Sequence, residues 1–257
     1  MSKHTVLVTG ASSGIGMELA RQFAQLGHNL VMLARGRAAL EALALEIQMQ
    51  HKVSAQVIVA DLCDPQAPAN ILEELTRRDL QIDVLVNNAG FGLLGPHADL
   101  DVQRQMDMVQ VNITSLVLLT RLLLPGMLAR DTGGVLNVAS TAAFQAGPNM
   151  AIYYASKAFV LSYTEALHEE VGGTKLHVSC LCPGPTHTGF VAAAGMEGVG
   201  LFKLGAQSAE EVARVGVTGF QNNRTIAISG FKNSALAFLG KFSPRFVTRK
   251  IAQALNR

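Results

Sequence analysis

The 257-residue sequence predicts a doubly wound α/β fold, a parallel sheet with helices on both faces. Three observations predict it. Short β-branched runs alternate with longer helical patterns over most of the chain. Each run is nearly all apolar rather than alternating, as strands covered on both faces must be. No linker, repeat or low-complexity tract interrupts the series, so residues 1–257 read as one domain. Hydrophobic residues make up 49% and charged residues 16%, a balance that excludes a disordered chain and allows a sizeable core.

The elements follow in order. "HTVLVT" (4–9) is strand-like, and "GMELARQFAQLG" continues with apolar residues at helical spacing and a glycine suited to a C-cap. "NLVMLA" (29–34) is the next strand, with a helix through "RAALEALALEIQMQ". "AQVIVA" (55–60), "DVLVN" (83–87), "GVLNVAS" (134–140) and "LHVSCLC" (176–182) continue the series. The stretch "ITSLVLLTRLLLPGML" is interrupted by Arg121 and Pro125 and predicts a buried helix rather than a membrane span. "PGPTHTGFVAAAGMEGVGLFKLGAQ" (183–207) shows no period and predicts a lid, with a substrate loop near 185–207. The tail, 234–257, mixes apolar with basic residues and predicts helix on either side of Pro244.

The bulk numbers exclude some partners. A net charge of +2, with no basic run interleaved with aromatics, argues against nucleic acid. Three cysteines without framework spacing point to a reducing compartment, and Cys180 and Cys182 read as core residues on one strand face. The first apolar run is too short for a signal peptide, so a cytoplasmic location is expected. No metal is expected.

"TGASSGIG" (9–16) lies between the first strand and the first helix, and that position gives it meaning. Gly10 and Gly14 allow a sharp turn and close approach of a ligand, and Gly16 allows the helix to pack on the sheet. The helix start then offers free N–H groups and a positive dipole end to a pyrophosphate. With "NNAG" (87–90) and "YYASK" (153–157) in the same order, the chain resembles the short-chain dehydrogenases/reductases, the type of about 250 residues with one Rossmann-like domain. The resemblance runs from residue 4 to about 190.

The resemblance implies a set of site residues. Gly10, Ser12, Ser13, Gly14, Ile15 and Gly16 match the family's phosphate turn. Asp61 matches the acid that contacts the adenine amino group, with Leu62 beside it; alone, Asp61 could equally start a helix. Asn88, Ala89 and Gly90 match the turn that braces the sheet and lines the cofactor. At the end of the second strand, where NAD-binding relatives usually have an acid, this chain has Ala34 and Arg35. An arginine there can pair with a 2′-phosphate through fork-shaped hydrogen bonds, so NADP(H) is expected over NAD(H). Read by itself, Arg35 is a solvated charge.

In "YYASK", Tyr153 and Tyr154 can both lie near Lys157 on a helix, and geometry alone does not choose. The family pattern Y-x-x-x-K selects Tyr153 and leaves Tyr154 to packing. The nearby ammonium is expected to stabilise the phenolate and lower its pKa, and Lys157 also matches the lysine that binds the nicotinamide ribose. Ser140 matches the serine that orients the substrate carbonyl. Asn112 matches the asparagine that supports a proton-relay water. "PGPTHT" matches P-G-x-x-x-T, placing Pro183, Gly184, Thr186 and Thr188 on the cofactor, with Thr188 at the carboxamide; His187 reads as a loop residue.

The resemblance implies an NADP(H)-dependent oxidoreductase that moves a hydride between nicotinamide and a small carbonyl or alcohol substrate. Two rivals stand beside it: an NADP(H)-binding sensor or scaffold without catalysis, and an NAD-dependent alcohol dehydrogenase. The specificity stretches, "FGLLGPHADL" (91–100), "TAAFQAGPNMAI" (141–152) and the segment after Thr188, are apolar and imply a hydrophobic substrate. Relatives form homodimers or homotetramers through the helices near 102–129 and 152–171. A further reading lays the tail on an anionic membrane surface as a peripheral contact, beside the plainer docking on its own domain or on a sister subunit.

Overall fold

The computed structural model describes residues 3–190 and 205–255. The apolar runs form one seven-stranded parallel sheet: β1 (Thr5–Thr9), β2 (Asn29–Ala34), β3 (Ala55–Val59), β4 (Val84–Asn87), β5 (Gly134–Val138), β6 (His177–Cys182) and β7 (Ile226–Ile228). Their spatial order is β3-β2-β1-β4-β5-β6-β7. The order reverses between β1 and β4, and a crevice opens there at the carboxyl ends of the strands. The sequence reading places six strands to within two residues. It misses β7, whose three residues are too few to show a period.

Alternation along each strand sends side chains to two cores. Val6, Val8, Leu30 and Met32 pack against α1 (Gly14–Gln25), α2 (Arg37–His51) and α7 (Ala209–Gln221). Leu7, Val31, Leu33 and Leu85 pack on the other face, against α3 (Ala67–Arg77), α5 (Leu116–Arg130) and α6 (Ala151–Glu170). Helix α4 (Val102–Val109) runs into α5 through a π-helical turn, Gln110–Ser115. The combined helix is long and apolar enough to cross a bilayer, yet Leu116, Leu119, Thr120 and Met127 are buried against the sheet. Helices α8 (Phe231–Phe242) and α9 (Arg245–Leu255) flank Pro244, as the tail pattern predicts. The middle of the expected lid, residues 191–204, lies outside the described residues.

A buried polar chain fastens α5 and α6 to the sheet. Asn87 Nδ2 donates to Thr120 Oγ1 at 3.0 Å and to Asn137 Oδ1 at 2.9 Å, and Asn137 Nδ2 donates to Thr164 Oγ1 at 3.0 Å. Because every member has a partner, burying it is tolerable, and the pairing fixes how both helices sit on β4 and β5. Cys180 and Cys182 are buried free thiols, 3.8 Å apart, in line with their reading as core residues.

Candidate active site

The glycine turn closes tightly at the carboxyl end of β1. Gly10 and Gly14 have φ of 66° and 55°, a region costly for residues with a Cβ. A Cβ on Gly16 would sit 2.3 Å from both Asn88 Nδ2 and the Gly10 carbonyl. A Cβ on Gly14 would sit 3.0 Å from Thr188 Cγ2, so the turn after β1 and the loop after β6 meet here. Ser13 precedes α1 in extended conformation without capping it through its side chain, leaving an exposed hydroxyl beside the unpaired N–H groups of the first turn. Ser12 and Ile15 flank it, partly exposed. This cradle, which no Cβ could enter, fits a dinucleotide pyrophosphate.

Thr9, not singled out from sequence, holds the neighbouring turn. Its hydroxyl accepts from the backbone N–H groups of Asn88 and Ala89, each at 3.0 Å, and donates to the Val86 carbonyl at 3.2 Å. Asn88 Nδ2 returns a bond to the Thr9 carbonyl at 2.9 Å. The turns after β1 and β4 are thus one hydrogen-bonded unit.

At the far end of the crevice, Arg35 is 72% exposed and its Nη1 lies 4.0 Å from Asp61 Oδ2. Asp61 Oδ1 accepts from the Cys63 N–H at 3.0 Å, a turn-forming bond that leaves the carboxylate half exposed. Leu62 is buried, and its carbonyl accepts from Ser115 Oγ at 2.9 Å, tying the adenine-side loop to the π-helical turn. An exposed guanidinium at the end of β2, with no acid in the strand end itself, fits a 2′-phosphate.

Ser140, Tyr153, Lys157 and Asn112 converge near the ends of β4 and β5. Ser140 starts the 3₁₀ turn Thr141–Phe144; its hydroxyl accepts from the Ala142 N–H at 3.1 Å and is also hydrogen-bonded to the Tyr153 phenol. Lys157 is buried, and its Nζ donates to the Val138 carbonyl at 2.9 Å while lying 5.9 Å from the centre of the Tyr153 ring. Tyr154 is buried against Gly147, consistent with a packing role.

Asn112 sits in the π-helical turn, a rare geometry that recurs at functional sites. Its Oδ1 accepts from the Phe91 N–H at 3.1 Å, and its Nδ2 donates to the Phe91 carbonyl and to Ser156 Oγ, both at 3.0 Å. Ser156 in turn donates to the Tyr153 carbonyl at 2.7 Å. Both amide hydrogens are therefore taken by protein, and the side chain braces the loop after β4 against the helix of Tyr153 and Lys157. Gly90 lies between: a Cβ there would be 3.0 Å from Asn112 Oδ1 and 3.3 Å from Lys157 Nζ.

The expected lowering of the Tyr153 pKa is corrected by the structure. Burial pushes the phenol up, to about 12, and the hydrogen bond from Ser140 opposes the rise. Burial likewise pushes Lys157 down, to about 8. The reason is geometric: the ammonium points at the Val138 carbonyl rather than at the phenol oxygen, so desolvation outweighs charge stabilisation.

The loop after β6 completes the wall. The buried Pro183 accepts from the Thr141 N–H at 2.8 Å, and Gly184 packs against the Asn233 side chain of α8. Thr186 is buried with its hydroxyl bonded to the Gly184 carbonyl at 2.9 Å; Thr188 reaches Gly14. His187 is exposed and bonded through its backbone to Gln207, a loop residue as read. The far side of Tyr153 is apolar: Phe190 lies 5.4 Å away, ring centre to ring centre, with Leu94 and Met150 in the same cluster.

The same arrangement of motifs and fold recurs in known proteins. A family model described as short chain dehydrogenase matches residues 4–197. The chain is 36% identical over 183 residues to a very-long-chain 3-oxoacyl-CoA reductase of Anas platyrhynchos, covering 69% of this chain and 58% of that protein's length. It is 31% identical over 188 residues to an NADP-dependent 3-hydroxy acid dehydrogenase of Schizosaccharomyces pombe, covering 72% and 73%. A solved short-chain dehydrogenase from Sphingobium yanoikuyae in complex with NADPH superposes with a TM-score of 0.82 at 30% identity, covering 93% of this chain and 94% of that one.

Proposed function

The chain belongs to the short-chain dehydrogenase family, and from that membership we propose that it is an NADP(H)-dependent oxidoreductase interconverting a carbonyl and an alcohol, with Tyr153 as its general acid. The observation that carries the proposal is the hydrogen bond between Ser140 and the Tyr153 phenol, one helical turn from a buried lysine. NADPH, when bound, supplies the hydride to the carbonyl carbon. The glycine turn and Ser13 would hold its pyrophosphate, Arg35 its 2′-phosphate, and Thr188 its nicotinamide end.

Each remaining group has a task that its surroundings suit. Burial keeps Tyr153 protonated at neutral pH, and because a phenol is a stronger acid than the alcohol that forms, it can deliver its proton to the oxygen of a reduced carbonyl. Ser140 lies where it can hydrogen-bond that oxygen together with the phenol. Lys157, pushed down to about 8, is an ammonium near neutrality that gives up a proton readily; because its Nζ is engaged with the Val138 carbonyl, it would restore the proton of Tyr153 through an intervening water. Asn112 fixes the turn facing Lys157. The apolar wall of Leu94, Met150 and Phe190 supports a hydrophobic carbonyl substrate.

Replacing Tyr153 with Phe tests the assignment, because it removes the phenol oxygen and keeps the ring. Turnover of an apolar ketone with NADPH should fall by about 10³-fold or more while NADPH affinity holds; retention of most activity would refute it. Sensing without catalysis predicts no turnover in the wild type either. We further propose a cytoplasmic enzyme that self-associates through α5 and α6, where Leu118, Leu122 and Phe159 are exposed. Cell fractionation and light scattering test these two points.

A further inference from the structure

The last 46 residues, 212–257, contain eight of the 21 lysines and arginines and none of the 19 aspartates and glutamates. The first 211 residues are correspondingly acidic, with 13 basic residues against 19 acidic. Among the described residues, ion pairs all lie between His4 and Lys175, so Arg214, Arg224, Lys232, Arg245, Arg249 and Lys250 have no acidic partner among them. A near-neutral chain thus hides a strongly one-sided charge distribution.

The same segment presents large apolar side chains to solvent. On α8, Lys232, Leu236 and Leu239 fall on one stripe at i, i+4 and i+7, with Leu236 and Leu239 68% and 60% exposed. Phe231, at the start of the helix, is 89% exposed. On α9, Phe246 is 63% exposed and shares its face with Arg249 and Lys250 at i+3 and i+4, both exposed, while Ala252 is fully buried against the protein. Beside α8, a groove lined by Arg214, Thr218, Arg224 and Ser234 extends the basic surface.

We propose that α8 and α9 form a docking surface for an anionic lipid bilayer. Exposed Phe and Leu side chains interleaved with unpaired Lys and Arg suit the headgroup boundary, where the rings and aliphatic chains sink in and the cations meet lipid phosphates. An acidic protein would satisfy the cations but not this much exposed hydrocarbon. Docking here bears on the reaction, a consequence that rests on the function proposed above. The side chain of Asn233 in α8 donates to the Ser229 carbonyl at 2.7 Å and packs on Gly184, in the wall of the active site, so the surface adjoins the cleft. A lipophilic carbonyl compound could then reach Tyr153 from the membrane.

The test is co-sedimentation of the full chain with vesicles of pure phosphatidylcholine and with vesicles containing about 30 mol % phosphatidylglycerol. Binding to the anionic vesicles only is expected, released by about 0.5 M salt and weakened about tenfold or more in Lys232→Glu/Arg249→Glu/Lys250→Glu. Phe246→Ser should weaken it without altering the salt dependence. No binding, equal binding to both vesicle types, or indifference to the charge reversals would overturn the proposal. So would wild-type protein that ignores vesicles while Phe246→Ser lowers its solution mass, which would assign the surface to a second copy. NADPH titration of each variant verifies folding and keeps failure of docking distinct from failure of the enzymatic reading.

Discussion

Replacing Lys157 with Met isolates the cost of the buried ammonium. The drop of its pKa from 10.5 to about 8 corresponds to about 3 kcal/mol disfavouring the charged form in the native state. Methionine removes that cost and nearly matches the length of the side chain. It also leaves the Val138 carbonyl without its 2.9 Å donor, a loss of about 1–2 kcal/mol. The variant should therefore be about 1–2 kcal/mol more stable than wild type at pH 7 while losing turnover. The pH dependence follows from linkage. Between pH 8 and 10.5 the unfolded chain holds the lysine proton and the native state has released it, so wild-type stability rises with pH through that window. The variant lacks this slope, so its advantage should be gone by about pH 9.5 and reverse towards pH 10.5, where only the lost hydrogen bond to Val138 remains. The chain has no tryptophan, so urea unfolding followed by circular dichroism at about pH 7 and about pH 10 is the assay. A Lys157→Met variant less stable than wild type at neutral pH, or a difference that does not change with pH, would refute the reasoning.

Two further predictions concern the cofactor cleft. Arg35→Ala should weaken NADPH binding about tenfold, at the low end for a charge-assisted bond because the side chain is mostly exposed. NADH binding should be unchanged; fluorescence titration reads both, and equal losses would return Arg35 to the status of a surface charge. Thr9→Val keeps shape but strips the acceptor from the Asn88 and Ala89 N–H groups. It should cost about 2–4 kcal/mol in thermal or urea unfolding and loosen NADPH binding, whereas a neutral effect would mean that water replaces the hydroxyl.

The sequence by itself determined the sheet and the main parts of the site. Short apolar runs such as "NLVMLA", alternating with longer helical patterns, mark strands covered on both faces, and glycines at 10, 14 and 16 mark a turn with no space for side chains, because these signals are local and written in residue type. The order of "TGASSGIG", "NNAG" and "YYASK" then separated Tyr153 from Tyr154, which spacing alone could not. Only the tertiary structure decided the rest. Thr9 reads as the last residue of a strand until β4 places Asn88 and Ala89 over its hydroxyl. Asn112 shows its bracing role only when Phe91 and Ser156, 21 and 44 residues away, arrive at its amide. Spacing alone predicts the wrong direction for the Tyr153 pKa for the same reason. A lysine four residues along a helix is close in any fold, but whether it acts as a charge on the phenol or spends its proton on the Val138 carbonyl depends on how the buried lysine and the partly buried tyrosine are packed. Spacing sets distance along a helix; only packing sets desolvation and the direction in which a charge points.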